Sequence, residues 1–363
     1  MMFPILLFSM AMAGLATHGA MAMSAPEAEL VGTPSGLERG HPGQTPSGSM
    51  GGGSASIQAL AAGADGVVYA GSFGMGIFRS GDRGGNWVST NDGLTDPFVL
   101  CLAMAKDGTV YAGTFRGGVF RSRDAGKTWQ AINSGLKRLE IKALMMDAKG
   151  LYAGTGDGVY LLNVTNDRWT VVTTGLDDIL VHALARTPDG ALYAGTSGKG
   201  VLRYRDKDKD KEQGAGWIRL RQGLRDHEGL VENFVRVLAV DREDGIYAGT
   251  FDGGVFRSGD GGKTWSPISR ALPNDSIRGV ITNDRGVFVA TGRGIFKTVD
   301  KGRQWVPLNK GLANLSIQVF IEGEKGALYA GTSSGVFRSD DDGLSWTAAS
   351  QGLEGGTVAP FKF

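Results

Sequence analysis

Val110-Tyr111-Ala112-Gly113-Thr114-Phe115-Arg116-Gly117-Gly118-Val119-Phe120-Arg121-Ser122-Arg123-Asp124-Ala125-Gly126-Lys127-Thr128-Trp129 is the stretch on which the reading of this chain turns. Thr109 to Thr114 reads as a strand whose small residues permit close packing around an axis. Phe115 to Gly118 is a Gly-rich turn, and Val119 to Ser122 alternates apolar and polar as a half-buried third strand. A second tight turn delivers Thr128 to Ile132 as an outer strand. Upstream, the apolar run Leu100 to Ala105 supplies an inner strand; downstream, Ser134-Gly135-Leu136 leads to the next one.

This unit recurs. The seven tryptophans of the chain, Trp87, Trp129, Trp169, Trp217, Trp265, Trp305 and Trp346, are separated by 42, 40, 48, 48, 40 and 41 residues. A period near 43 residues suits one four-stranded propeller blade, so the spacing predicts an all-β, seven-bladed β-propeller over residues 56–353. Gly contributes 59 of 363 residues, an excess that without a collagen period indicates many tight turns between short strands.

The turn before the outer strand, Ser122-x-Asp124-x-Gly126-x-Thr128-Trp129, matches the Asp-box, or bacterial neuraminidase repeat. It recurs at Ser258, Asp260, Gly262, Thr264 and Trp265, with variants at Ser80-Asp82-Gly84-Asn86-Trp87, Thr298-Asp300-Gly302-Gln304-Trp305 and Ser339-Asp341-Gly343-Ser345-Trp346. The third and fourth units keep only the tryptophan. The expected role is structural: the Asp accepts backbone N–H groups across the turn, the Gly takes positive φ, and the Trp plugs the space between sheets. Calcium binding or catalysis by these Asp residues is the weaker reading, because a feature repeated around a ring does not make one active site.

The chain is similar to the non-catalytic Asp-box propellers typified by the photosystem II stability and assembly factor family, on its Tyr-Ala-Gly-Thr, Gly-Val-Phe-Arg-Ser and box motifs. That resemblance implies a scaffold that holds another protein during assembly; no motif here specifies a photosystem as partner. Asp-box propellers also include sialidases and other glycoside hydrolases. The Arg-Ile-Pro motif of such sialidases is absent from the sequence. Asp92, Asp96, Asp177, Asp178, Glu232 and Asp252 remain as carboxylates for a paired-carboxylate glycosidase, so a carbohydrate-binding or hydrolytic propeller is the alternative function.

In a propeller, the loops joining second to third strands and those joining blades converge on one face, which is the expected partner site. Phe73, Phe115 and Phe251 fall in equivalent turns, with Arg116, Lys199, Asp252 and Arg293 beside them. The blade connections add Lys137, Arg138, Asp177 and Asp178, and a longer segment with Arg225 and His227. Aromatic residues with arginines fit a protein or peptide partner better than a catalytic pocket. The competing reading packs the phenylalanines between blades and leaves the charges solvated.

Several classes are disfavoured. With 38 Lys and Arg against 37 Asp and Glu, the net charge of +1 sets up no field for nucleic acid. One cysteine, Cys101, in an apolar run, precludes an intramolecular disulfide and reads as a buried hydrophobe. The Gly-Lys-Thr triplets at Gly126 and Gly262 lack the upstream glycine of a phosphate loop, and Asp206-x-Asp208-x-Asp210 lacks the glycine and closing Glu of a calcium loop. The four histidines show no metal-ligand spacing, and no motif points to a cofactor.

Residues 1–22 carry an apolar stretch, Phe3 to Ala16, followed by Ala20-Met21-Ala22, the form of a signal-peptidase site. The expectation is an exported, periplasmic or extracellular protein, with an uncleaved anchor as the alternative; no Lys or Arg precedes the apolar core. Residues 23–55 read as a Gly/Pro/Ser-rich tether. The tail at 354–363 is expected either to add a strand or to cover an edge.

Overall fold

A computed structural model describes residues 55–172, 176, 178–205, 216–220, 222–225, 234–273 and 276–354. The leader, nearly all of the tether, and the tail beyond Glu354 lie outside the described residues. Seven antiparallel sheets, each of four strands in chain order, make seven blades. Their innermost strands are Ile57–Ala62, Val99–Met104, Ile141–Asp147, Val181–Arg186, Val235–Val240, Ile277–Asn283 and Ile317–Glu322. Each is covered on both sides, and so the inner strands read as continuous apolar runs rather than alternating ones.

The Tyr-Ala-Gly-Thr motif sets how closely blades approach. A Cβ on Gly113 would lie 2.7 Å from Cγ2 of Ile141, on the next blade's innermost strand. The same relation links Gly71 to Val99, Gly154 to Val181, Gly195 to Val235 and Gly249 to Ile277. Gly331 of the seventh blade meets Ile57 of the first in this way, so the ring closes by packing. Every blade among the described residues draws its four strands from consecutive sequence, and the seam between seventh and first blades resembles the other six. Leu60, Phe78 and Trp87 share one buried cluster with Val319, Tyr329, Val336 and Leu353 across that seam.

Each box folds as its residue types dictate. Asp124 Oδ1 accepts the Thr128 N–H at 2.9 Å and the Ser122 hydroxyl at 2.8 Å, while Oδ2 accepts the Thr128 hydroxyl at 2.6 Å. Ser122 Oγ in turn accepts the Gly126 N–H at 2.8 Å. The boxes of Asp82, Asp260 and Asp341 repeat this pattern. The Trp indole then donates to a carbonyl of the preceding blade: Trp129 to Thr90 at 2.7 Å, Trp169 to Ile132 at 2.6 Å, Trp346 to Leu308 at 2.8 Å. Trp87 does so across the seam, to Ala349 at 2.8 Å. These tryptophans, with Trp305 on the Ile268 carbonyl at 2.9 Å, are therefore hydrogen-bonded wedges as well as apolar plugs, whereas the buried indole N–H groups of Trp217 and Trp265 make no such bond.

Where the box has decayed, ladder pairing replaces it. Outer strands after a box are two residues long, as at Gln130–Ala131, whereas the third and fourth blades carry Arg168–Val171 and Gly216–Leu220. Asp167, in the turn before Trp169 but not at the place of a box Asp, accepts both Arg121 terminal nitrogens of the second blade at 2.5 and 2.9 Å. Ion pairs also cross blade boundaries at Arg83–Asp340, Arg186–Asp147, Arg242–Asp284 and Arg285–Glu322. Cys101 is buried, and its burial pushes the thiol pKa up.

Candidate binding face and channel mouth

Turns from second to third strands and the blade connections share one face, opposite the boxes. On the second blade, this turn is held from three sides. Asp96 accepts the Arg116 and Gly117 N–H groups at 2.6 and 2.7 Å and the Phe98 N–H at 3.1 Å. Asn133 donates to the Gly117 carbonyl at 2.7 Å and accepts the Val119 N–H at 2.8 Å. Phe115 N donates to the Phe98 carbonyl at 3.0 Å. Phe115 and Arg116 thus sit on a fixed loop, with the guanidinium 5.1 Å from the Phe115 ring centroid.

Phe73 joins this group: its ring lies 4.8 Å from Phe98, edge to face, and 6.4 Å from Phe115. Beside them, a cleft of about 510 Å³ is lined by Phe115, Arg116, Arg138, Leu139, Glu140 and Asp178 among others. Arg138 and Asp178 pair across it at 3.2 Å. The expected residues do not form one patch. Phe251 and Asp252 are exposed three blades further round, and Lys199, Arg225 and Arg293 are exposed on the fourth blade, on the fourth-to-fifth connection and on the sixth blade. His227 and Asp177 lie outside the described residues. Phe73 is 38% and Phe251 48% exposed, so each keeps part of its ring on the face, although Phe73 also packs on Phe98 and Phe115 of the next blade.

A second ring lies just inside the face. Pairing between the first two strands slips in every blade near the same place, as between Val99 and Cys101 or Val235 and Val237. The residues at this bulge are Gln58, Leu100, Lys142, His182, Arg236, Arg278 and Gln318. Lys142 is 2% and Arg236 4% exposed. Lys142 pairs with Glu140 at 2.5 Å and approaches the Phe115 ring to 5.5 Å; Arg236 lies 4.5 Å from the Phe251 centroid. His182 Nε2 meets Ser197 Oγ at 2.5 Å. Burial, then the charges of Lys142 and Arg236, hold the His182 pKa down to about 4. Burial and Arg278 pull Arg236 down to about 9. Groups on neighbouring blades sense one another because they converge on a single axis.

The channel ring escapes a reading of the sequence because each member except Leu100 is a polar residue set between apolar neighbours at the start of an inner strand. The available signal was their common place, directly after the first apolar residue of every inner strand. Of the carboxylates weighed for hydrolysis, Asp96 is spent on backbone N–H groups, Asp178 pairs with Arg138, and Asp252 stands three blades from Asp96. Among the described residues, no three His, Cys, Asp or Glu side chains group as a metal site.

Fold and boxes together define a seven-bladed Asp-box β-propeller. Comparison with known proteins agrees. The BNR-Asp box repeat model matches residues 77–90, the first box with its flanking strands. No curated protein sequence matches the chain. Among solved structures, a GH74 enzyme of Niastella koreensis is 16% identical, with a TM-score of 0.62 over 83% of this chain and 55% of that one. The extracellular domain of a putative hybrid two-component system of B. thetaiotaomicron is 14% identical, with a TM-score of 0.60 over 78% of this chain and 39% of that one. YCF48 bound to D1 peptide is 16% identical over 64% of this chain and 74% of that one, at a TM-score of 0.46. This chain spans about half the length of the first two, or less, and at such identities the likeness is one of fold. The structures of similar fold thus include an enzyme and an extracellular domain. No helix among the described residues is long and apolar enough to cross a membrane.

Proposed function

We propose that this protein is an exported, non-catalytic scaffold that holds a protein or peptide partner on the propeller face bearing Phe73, Phe115 and Phe251. The observation that carries this reading is the group Phe73, Phe98, Phe115 and Arg116 beside the cleft, on a turn fixed by Asp96 and Asn133. A rigid aromatic surface next to an arginine binds with little ordering of side chains on contact. Export is supported by the apolar leader with its small-x-small site, and by the likeness to an extracellular domain.

The test is affinity capture from envelope extract by the full chain, compared with the Phe115→Ala, Arg116→Ala, Phe251→Ala triple variant. A protein captured by the parent chain and lost with the folded variant is expected. Capture indifferent to the substitutions sinks the proposed face. Saturable binding of an oligosaccharide at the same cleft, with no protein captured, favours the carbohydrate reading instead.

A further inference from the structure

The cleft beside Phe115 lies at a step in turn length. Between Thr114 and Val119 the second blade has four residues, Phe115 to Gly118, whereas the third has three between Thr155 and Val159, Gly156 to Gly158. The shorter turn is fixed, because Asp157 accepts the Thr155 hydroxyl at 2.7 Å and the Tyr160 hydroxyl at 2.8 Å. Gly156 therefore lines the cleft at the place where the second blade carries Phe115, and the apolar lining is completed by Phe115 itself, Leu139 and Leu180. Neither backbone nor packing requires glycine here. The φ of Gly156 lies outside the left-handed region, and a Cβ would meet one atom within 4 Å beyond its chain neighbours, Leu180 Cδ1 at 3.9 Å. Gly117 of the second blade is the contrast, since a Cβ there would lie 2.6 Å from Asp96 Cβ and 2.8 Å from Phe120 Cε2. What glycine leaves at 156 is open space. The step recurs between the fifth and sixth blades, but before Ile277 the place of Leu139 belongs to Asp275, and before Ile317 the place of Leu180 belongs to Ser316. The apolar lining is thus particular to the second and third blades.

We propose that this cleft is an anchor pocket for one large apolar side chain, leucine or aromatic, presented by a segment of the partner protein, with Gly156 as the residue that keeps it open. The inference rests on the scaffold reading for its partner and goes beyond it in naming what the partner must offer. A space of about 510 Å³ accepts such a side chain together with the backbone that carries it. Leu139 is 39% exposed, and it and Phe115 lose water when the pocket fills. A buried anchor of this kind carries much of the energy of a protein contact. The charges of the lining are already engaged: Arg138 with Asp178, Glu140 with Lys142, and Arg116 against the Phe115 ring. Among the described residues that line the cleft there is no Ser, Thr, Asn, Gln or Tyr to pair with sugar hydroxyls, which favours an apolar side chain over a glycan.

The experiment titrates the full chain with N-acetyl-leucinamide and N-acetyl-tryptophanamide, with N-acetyl-alaninamide and cellobiose as references, and follows the Gly156 amide resonance. Saturable shifts are expected with the leucine or the tryptophan amide and not with the references. In Gly156→Leu the added side chain fills the pocket, so affinity should fall about fivefold or more while the variant melts no lower than the parent. Saturation by cellobiose alone, no saturation by either apolar amide, or equal affinity in Gly156→Leu overturns the proposal. Should that variant not fold, Leu139→Gln decides in its place, because Leu139 is partly exposed and its loss leaves no core cavity; unchanged affinity there overturns the pocket. Capture from envelope extract separates this inference from the reading it rests on. A partner held by the parent and equally by folded Gly156→Leu overturns the pocket and leaves the scaffold. With no partner captured by the parent, the scaffold reading fails, and saturation by the apolar amides still supports the pocket.

Discussion

At the scale of single residues, the box carboxylates act as hydrogen-bond acceptors within their turns. Side-chain and backbone donors in the turn hold Asp82, Asp124, Asp260 and Asp341 down to about 2. For Asp260 the largest cause is the Thr264 hydroxyl, followed by the Thr264 N–H. A folded pKa below the unfolded value of about 3.9 means that this stabilisation is complete above pH ~4 and lost as pH falls toward 2. Melting temperature should therefore drop steeply between those values. In Asp260→Asn the amide keeps one acceptor oxygen but no longer titrates, so the variant is less stable at neutral pH and loses less on acidification. Melting curves at stepped pH for both chains check this; parallel pH profiles would show that the boxes are not the source. The box was legible in the sequence because its chemistry is local: Ser, Asp, Gly and Thr or Asn satisfy one another within seven residues. Asp167 was not, since its partner Arg121 lies 46 positions earlier on another blade.

At the scale of strands and blades, that pair shows what holds neighbouring sheets where a box is missing. Arg121 is buried and Asp167 about two-fifths exposed, so removing the carboxylate leaves a guanidinium with little water to turn to. Asp167→Asn is expected to cost about 1–3 kcal/mol, with solvent screening at Asp167 keeping it below a fully buried pair. The double variant Arg121→Met, Asp167→Asn should lose less than the two single changes summed, because the buried charge goes with its partner. Urea unfolding of the four chains gives the coupling, and additive losses would mean that the pair does not bridge the blades. Strand content was readable from period and composition. The bulge was not, since it inserts one residue into an apolar run and turns that residue toward the axis without disturbing the pattern around it. For the same reason the face residues were found singly, from equivalent turn positions, while their division into a group at Phe115 and another at Phe251 needed the ring. Asp96, weighed among the carboxylates, accepts backbone N–H groups of the turn that presents Phe115, a contact that its place in the sequence did not indicate.

At the scale of the whole molecule, the open matter in the sequence was how a seven-unit ring meets its own start. Gly93, Gly135, Gly223, Gly311 and Gly352 of the Gly-Leu segments show how: a Cβ there would lie about 2.2 Å from the carbonyl oxygen of the next blade's Trp, and φ is positive. Gly135 stands in this relation to Trp169 within the run, with φ +95°, and Gly352 to Trp87 across the closing seam, with φ +88°. The two sites have the same local chemistry and differ in what lies between them, 34 residues of chain in one case and nearly the whole ring in the other. Alanine at either is strained by its backbone and clashes with the Trp carbonyl, so each should destabilise by more than about 1 kcal/mol. Were the seam a weak point, Gly352→Ala would release it first and give an open arc, seen as a second, early unfolding step with a shallower denaturant dependence. The packing argues otherwise. Gly331 against Ile57, the Trp87 indole on the Ala349 carbonyl, and the shared buried cluster make the seventh interface equivalent to the rest. Opening any one interface bares two apolar sheet faces, which gives the remaining blades no reason to hold. Gly135→Ala and Gly352→Ala are therefore expected to unfold in one transition each, with losses equal within about 0.5 kcal/mol and the same slope as the parent chain. A biphasic curve for Gly352→Ala alone would assign closure to some other part of the chain, and deletion of residues 355–363 would then reproduce it.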